Sequence, residues 1–520
     1  MLFLYDNAVT LSVAAVCCTF AWVFGGTIPS ALMPAVPWLL AFMLEMALCF
    51  PQRHSGESTP EARERVWSGM KRDPMTWIVA VFLLLLLVPF FNKGLCPCCD
   101  YPAINFDGFS EKPPVPYAPF CVNRMEHLTV CVWFFPTLIG AVVVRHALLK
   151  RGKRMLLEMV VWNGAALGVL GIVQHLSGAK APLWCESVCR PPYFFSTFGY
   201  PNMAADYFTT LFGLAVAVWR WKVFSVEESL DEGEGEAQAK ANRKIFWSKH
   251  MLLIPAALFF FCAMMTLSRA AILFTSVLAV LFFVHAFASF VAKMPPSRRV
   301  KAVAANLLVL VLISTFFVAF LSNHDKIVAK SGAASADIRA EFRKEASQIG
   351  GRGLFDRAAG VGSSTVQLAV RVWLDNPLFG CGGWGYRHFS IVKRSNAEFN
   401  AAFSRGAANV HNDYLQFLAE HGAVGFALLG TVFLMLLWPT FRVWRAIVAS
   451  VRFMKPKDQP PKPVAVFALP ASAFCILLTT LATMVHAFGD CPLRSPAVLS
   501  LFFVSLACVD GFLPRLRTSR

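Results

Sequence analysis

The sequence predicts an all-α polytopic membrane protein: about twelve transmembrane helices, with one large loop between the ninth and the tenth. Three observations predict it. Hydrophobic residues make up 57% of the 520-residue chain and charged residues only 15%, too little charge for a soluble chain of this size. Apolar runs of roughly 18 residues or more recur, each long enough to cross a bilayer as a helix. The runs lack the alternation of barrel strands, and in lipid only helices and closed barrels satisfy every backbone N–H and C=O.

The runs fall at 8–24, 33–50, 75–91, 127–148, 155–176, 203–221, 251–267, 270–292, 302–321, 414–438, 464–485 and 496–513. The first has no basic flank and no small-residue cleavage site, so it reads as a retained helix and not as a cleaved signal. Orientation follows from Lys and Arg in the short loops. One set of loops holds Arg63, Arg65, Lys71 and Arg72, then Lys150, Arg151, Lys153 and Arg154, then Arg243, Lys244 and Lys249. The same set continues with Lys293, Arg298, Arg299 and Lys301, then Arg442, Arg445, Lys455 and Lys457, and ends with Arg515, Arg517 and Arg520 in the tail. With twelve spans and both termini inside, all of these lie on the cytoplasmic side. The net charge of +17 is thus largely a topology signal, and nucleic acid is not expected as a partner. Residues 225–241 (SVEESLDEGEGEAQAKA) are acidic and low in complexity, and read as a cytoplasmic linker.

The chain divides accordingly into helices one to nine (1–321), an outside cap loop (322–412), and helices ten to twelve with a tail (413–520). The cap loop, at roughly ninety residues, is far longer than an ordinary connection. Within it, 336–345 (ADIRAEFRKE) reads as a charged surface helix. Residues 363–375 (SSTVQLAVRVWLD) read as an amphipathic helix with Val366, Val370 and Trp373 on one side. Asn376–Pro377 ends that helix and LFGCGGWGY supplies a glycine-rich turn. Cys96, Cys98, Cys99 and Cys121 share one outside loop, Cys185 and Cys189 share the next, and Cys381 and Cys491 are also outside. An oxidising compartment favours disulfides, and Cys185 is expected to pair with Cys189. CPCC at 96–99 lacks the second CxxC of a zinc site, and no metal is expected.

The stretch most loaded with chemistry is 405–426, RGAANVHNDYLQFLAEHGAVGF, a polar segment that the pattern runs unbroken into a membrane helix continuing to about Trp438. Asn412, Gln416 and Glu420 share one helical face, and Asn412 or Asp413 is a good N-cap. His411 then sits at the mouth of the helix, where an ionisable group is a functional candidate; a solvated histidine in a capping cluster is the plain alternative. Arg269, in TLSRAAIL, stands where two spans meet, and needs an anion or snorkels to the interface. Arg371 lies in the amphipathic cap helix, where a solvated face would also hold it. Two guanidinium forks match phosphate oxygens, and an imidazole offers a base near neutrality. Asn202 and Asp206 open one span in FGYPNMAADY, Gln174 and His175 close another, and His486 and Asp490 line the last outside turn, VHAFGDCPLR. There is no GxSxG and no HExxH, and GVGSS at 360–364 lacks the lysine of a phosphate loop.

HNDYLQFLAEHGAVGF resembles the signature of the bacterial O-antigen ligase and polymerase superfamily. RVWLDNPLFGCGGWGY, TLSRAAIL and VHAFGDCPLRSPAVL resemble further segments of those proteins, and GIVQHLSG and FGYPNMAADY match more loosely. The resemblance is strongest over about 260–513 and absent from the first 150 residues. CGGWG departs from the usual glycine spacing, and Cys381 is unusual there. The resemblance implies about twelve helices with a large periplasmic loop, in the bacterial inner membrane. It implies metal- and cofactor-free glycan transfer from an undecaprenyl-pyrophosphate donor to an acceptor, with the active site facing the periplasm. By position, Arg269 and Arg371 would bind the donor pyrophosphate and His411 would act at the transfer centre, with Asn412, Tyr414, Gln416, Glu420, Asn202, His486 and Asp490 in support. The acceptor (lipid A core, another lipid-linked repeat, or a protein hydroxyl) stays open. The rival readings are a transporter of lipid-linked sugars, which would predict repeated halves and interrupted helices, and a scaffolding membrane protein.

Overall fold

The computed structural model describes residues 2–26, 32–94, 113–115, 117–186, 194–230, 250–292, 364–392, 409–453 and 469–513. These residues are overwhelmingly helical, and the only bridges among them are isolated ones at Lys93–Cys121 and Phe195–Phe198. Among the described residues five helices are long and apolar enough to cross a membrane: α4 (Pro74–Phe91), α5 (Arg124–Ala147), α6 (Lys150–Leu176), α9 (Arg269–Ala292) and α12 (Asp413–Phe453). Further apolar helices join them: α1 (Leu2–Trp22), α2 (Val36–Cys49), α8 (Leu253–Met265), α13 (Ala471–His486) and α14 (Pro496–Cys508). The thirty-residue α7 (Pro201–Leu230) completes the bundle. Of the twelve expected spans, 302–321 lies outside the described residues, and each of the others falls on one of these helices.

The core explains the order of packing. α14 is apolar or small at every position, so it has no face for water, and every one of its residues is buried. α7 runs through the middle and packs on α6, α8, α9, α13 and α14. At Gly213 of α7 an added Cβ would stand 1.8 Å from Thr479 Oγ1 of α13, so only a glycine lets these helices approach so closely.

Contacts define two ends of the bundle. At one end, Asp73 caps α4 and pairs with Arg145 (2.5 Å) and His146 (3.0 Å) at the close of α5. There too Lys153 reaches Asp510 (2.7 Å), and Leu149 N–H donates to Gln52 Oε1 (2.9 Å). The amphipathic α3 (Thr59–Arg72), opened by a Ser58–Glu61 capping box, lies at this end and presents Trp67 under Lys71. At the other end lie the start of α5, the starts of α7, α12 and α14, and the close of α13, with the 377–383 turn.

At that second end a small core forms outside the main one. Phe120, Val122, Leu368, Ala369, Val372, Tyr386, Phe389 and Ala419 bring together α10 (Ser364–Asp375), α11 (Gly385–Val392) and the first turns of α12. Its α10 face differs from the expected one: Leu368, Ala369 and Val372 are buried, Val366 and Trp373 flank them, and Val370 takes no part. The glycine-rich turn is stitched to α12 by backbone bonds. Cys381 N–H and Gly382 N–H donate to Ala419 O (3.0 Å) and Glu420 O (2.8 Å), and Ala423 N–H and Val424 N–H donate to Pro377 O (2.8 Å) and Leu378 O (3.0 Å).

Three expectations are corrected. α12 does not run unbroken: Gly422 sits at φ 65, ψ −176, a glycine-only conformation that breaks the ladder and lets the turn dock. The sequence pattern missed this because the apolar period continues on both sides. After the break α12 extends to Phe453, beyond Trp438, carrying Pro439 within it. α7 runs on to Leu230, into the expected linker, because its helical backbone continues past the apolar stretch. The rest of that linker, the 336–345 helix, most of the cap loop, GVGSS before Ser364, and Cys96, Cys98, Cys99 and Cys189 lie outside the described residues, so the Cys185–Cys189 pairing does too.

Two predictions test this frame. Gly422→Ala forces a Cβ into that conformation 2.2 Å from Leu378 O. It is expected to cost about 1–3 kcal/mol or more, read as a lowered unfolding midpoint in detergent. Burial alone would raise the Asp73 acid, but the contacts from His146 and Arg145 outweigh it and hold its pKa down to about 2, against 3.8. A lowered carboxyl stabilises above its unfolded pKa and loses that contribution on acidification. Asp73→Asn is therefore expected to cost about 2 kcal/mol at neutral pH, with the difference from wild type vanishing between about pH 4 and pH 2.

Candidate functional site

The site grows from one buried carboxylate. Asp490 stands in the turn between α13 and α14, and three elements reach it. From the entrance to α7, Tyr200 Oη–H donates at 3.2 Å and Asn202 Nδ2 donates as well. From the approach to α12, His411 Nδ1 lies 3.1 Å from Oδ1. From its own turn, the Cys491 N–H donates at 2.8 Å. Burial favours the neutral acid, but the His411 contact, His486 and the Cys491 N–H outweigh it and hold Asp490 well below the usual carboxylate range.

His411 is presented by backbone geometry. It sits at φ 55, an uncommon conformation for a non-glycine residue, one residue before Asn412 caps α12 by accepting from Leu415 N–H (3.0 Å). Its side chain stays 53% exposed while Asp490 is 7% exposed, so the imidazole faces outward with its back on a buried anion. With the Nδ1 proton directed at the carboxylate, Nε2 becomes the basic nitrogen.

A second cluster lies one turn down α12. Val410 N–H donates to Gln416 Oε1 (2.9 Å), Gln416 Nε2 donates to Glu420 Oε1 (3.1 Å), and Glu420 Oε2 accepts from Arg494 Nη2 (2.5 Å). The Arg494 guanidinium lies over the Trp384 ring at 4.6 Å. Below it, a cavity of about 160 Å³ opens between α5, α12 and α14. Asp413, Glu420 and Arg494 form its polar end, and aromatic side chains form its walls. Asp413 is pinned by Leu493 N–H (2.8 Å) and Tyr414 Oη–H by Met484 O (2.9 Å). A third pair, His486 with Asp206 (3.0 Å), is fully buried beneath.

The structure therefore gathers His411, Asp490 and Asn202 in one constellation, and joins Gln416 and Glu420 in the next. Arg269 and Arg371 are exposed, and among the described residues no bond joins either of them to His411. Arg269 begins α9, whose Phe274 packs on His486 (5.6 Å between rings); Arg371 lies on α10, which packs on α12. Sequence reasoning missed Tyr200 and Arg494. Both lie in quoted segments, and Arg494 had a signal: an arginine on the side where basic residues are scarce. Among the described residues His411, Asp490 and Cys491 have ligand atoms within 4.8 Å of one another. Asp490 there already accepts from Tyr200, Asn202 and the Cys491 N–H, so its oxygens are taken by protein donors.

A helical membrane-embedded protein with a histidine–carboxylate pair at one end is the class defined so far. Residues 254–430 match the family model described as O-antigen ligase, and the match supports the O-antigen ligase and polymerase superfamily. The match covers about a third of the chain and supports glycan transfer of the ligase or polymerase type, with lipid-linked glycan and acceptor as substrates in general. The match takes in Arg269, Arg371 and His411, while Asn202, His486, Asp490 and Arg494 fall outside it. No curated protein matches the chain.

The Arg494–Glu420 pair has side chains 10% and 1% exposed, and removing one partner strands the other charge. Arg494→Met is expected to destabilise by about 3–5 kcal/mol, and Arg494→Met with Glu420→Leu to recover most of that loss in a double-mutant cycle of denaturation.

Proposed function

We propose that the protein moves a glycan from an undecaprenyl-pyrophosphate donor to an acceptor hydroxyl at the periplasmic face of the bacterial inner membrane, as an O-antigen ligase-type transferase. The observation that carries this reading is the exposed His411 imidazole backed at 3.1 Å by the buried Asp490 carboxylate. Such a pair is the arrangement of a general base: the carboxylate fixes the tautomer and stabilises the imidazolium that forms. His411 Nε2 takes the proton of the acceptor hydroxyl as its oxygen attacks the anomeric carbon. The bond from that carbon to the pyrophosphate breaks, and the lipid diphosphate leaves with the electron pair. One displacement inverts the carbon. Arg269 and Arg371 bind the diphosphate and stabilise its growing charge. Neither metal nor cofactor is needed for this sequence. Asn202 and Tyr200 act through Asp490, and Asn412 acts by capping the helix that presents His411.

The test is a transfer assay in liposomes, with lipid-linked donor and a panel of acceptors: lipid A core, a second lipid-linked repeat, and a protein hydroxyl. Transfer to lipid A core is expected; transfer only to another repeat or to protein would make the chain a polymerase or a protein O-oligosaccharyltransferase. Donor flipping without transfer would make it a transporter. His411→Ala is expected to lower kcat by about 10²–10⁴-fold with insertion intact. Activity near wild type in that variant would remove the base from the mechanism. Arg269→Lys and Arg371→Lys are expected to raise KM for donor without rescuing the bidentate contact.

A further inference from the structure

His411 holds a backbone conformation that its own side chain does not favour. At φ 55 it is left-handed, a region where Cβ crowds the carbonyl oxygen and a non-glycine residue persists only when its surroundings hold it. Toward α12 the hold comes from the Asn412 cap and from Asp413 N–H, which donates to Ala487 O (2.9 Å). On the other side the described residues offer Gln416, which is fully buried. Its Oε1 accepts from Val410 N–H (2.9 Å), and its Nε2 donates to Asn409 Oδ1 (3.3 Å) and Glu420 Oε1 (3.1 Å). Burial in the outer core places Val410, and the N–H bond sets how its backbone turns. The second Glu420 oxygen accepts from Arg494 Nη2 (2.5 Å). Each of these bonds has a forced direction. A backbone N–H and a guanidinium only donate, and a carboxylate only accepts, so the group between Val410 and Glu420 must do both. The Gln416 amide does, and flipping it would face donor to donor at Val410 and acceptor to acceptor at Glu420. The far end is fixed as well: the Arg494 guanidinium stacks on Trp384 (4.6 Å), and Gly382 N–H donates to Glu420 O (2.8 Å).

We infer that Arg494, Glu420 and Gln416 form a relay that keeps His411 left-handed and its Nδ1 on Asp490, with Gln416 as the positioning residue. The hold is a property of the resting protein, while its consequence for catalysis rests on the transfer reaction proposed above. Two measurements on the full chain in proteoliposomes separate them. Hydrogen exchange reads the amides of 409–412 without substrate, and transfer kinetics read kcat apart from KM for the lipid-linked donor. Gln416→Met keeps the length of the side chain and removes both polar ends. It is expected to speed exchange at Val410 by about tenfold, the scale of one lost hydrogen bond. It is expected to lower kcat by about 10²-fold, the scale of a displacement of about 1 Å, with KM for the donor unchanged. Gln416→Glu and Glu420→Gln each set like ends together and are expected to act in the same direction. Combined, they restore every direction: the carboxylate at 416 accepts from Val410 N–H and from the amide at 420, the oxygen of that amide accepts from Arg494, and Asn409 turns its own amide. The combination is expected to return kcat to within about tenfold of wild type. A lowered unfolding midpoint with kcat of the folded protein unchanged would overturn the positioning role. So would a raised KM at unchanged kcat, or a combined variant no better than the worse single one. Unchanged exchange at 409–412 in Gln416→Met would overturn the hold. If the wild type transfers to no acceptor, the proposed reaction falls, and faster exchange in Gln416→Met still upholds the hold.

Discussion

A buried carboxylate must be satisfied or neutralised, and the site end of this bundle is arranged around that demand at Asp490. Removing an ion from water costs several kcal/mol, even after relaxation, unless donors replace the lost solvent. Here the donors come from Tyr200 and Asn202 at the head of α7, His411 at the head of α12, and the Cys491 N–H. Satisfying one anion thus draws helices α7, α12 and α13 to a single point. The same bonds hold the exposed imidazole in one orientation.

The second constraint is the break in α12. A straight helix from Asp413 would leave the 377–383 turn without backbone partners. With Gly422 in its glycine-only conformation, donors and acceptors on both strands of the seam pair off. The turn then brings Trp384 over Arg494, whose other contact is Glu420, and so closes the polar end of the cavity. The outer core of α10, α11 and the first turns of α12 is the apolar counterpart of that seam. Charged residues at this depth are costly unless paired or hydrogen-bonded; beside the cavity Arg494 pairs with Glu420 and Asp413 accepts from Leu493 N–H.

The division of labour between the two ends of the bundle follows from the bilayer. One end is pinned by Asp73 with Arg145 and by Lys153 with Asp510, ion pairs beside the basic loops that the sequence displays openly. At the other end Arg494 is paired inward with Glu420. At that end the His411 imidazole stays exposed while its partner Asp490 is buried.

The chain by itself determined what depends on local composition and period. The helical membrane class follows from apolar run length, because lipid leaves the backbone no alternative. The Asn412 cap, the Gln416–Glu420 face and the turn after Asn376–Pro377 follow from spacing of a few residues. The candidates His411 and Asp490 were legible as ionisable groups at helix mouths. Only the tertiary structure decided that they touch, since 79 residues separate them, and that Asn202 joins them across 288. It alone exposed the Arg494–Glu420 pair, the cavity, and the break at Gly422, where the apolar period gives no warning. These depend on which helices end side by side, and a one-dimensional pattern carries the depth of each residue but not its neighbour.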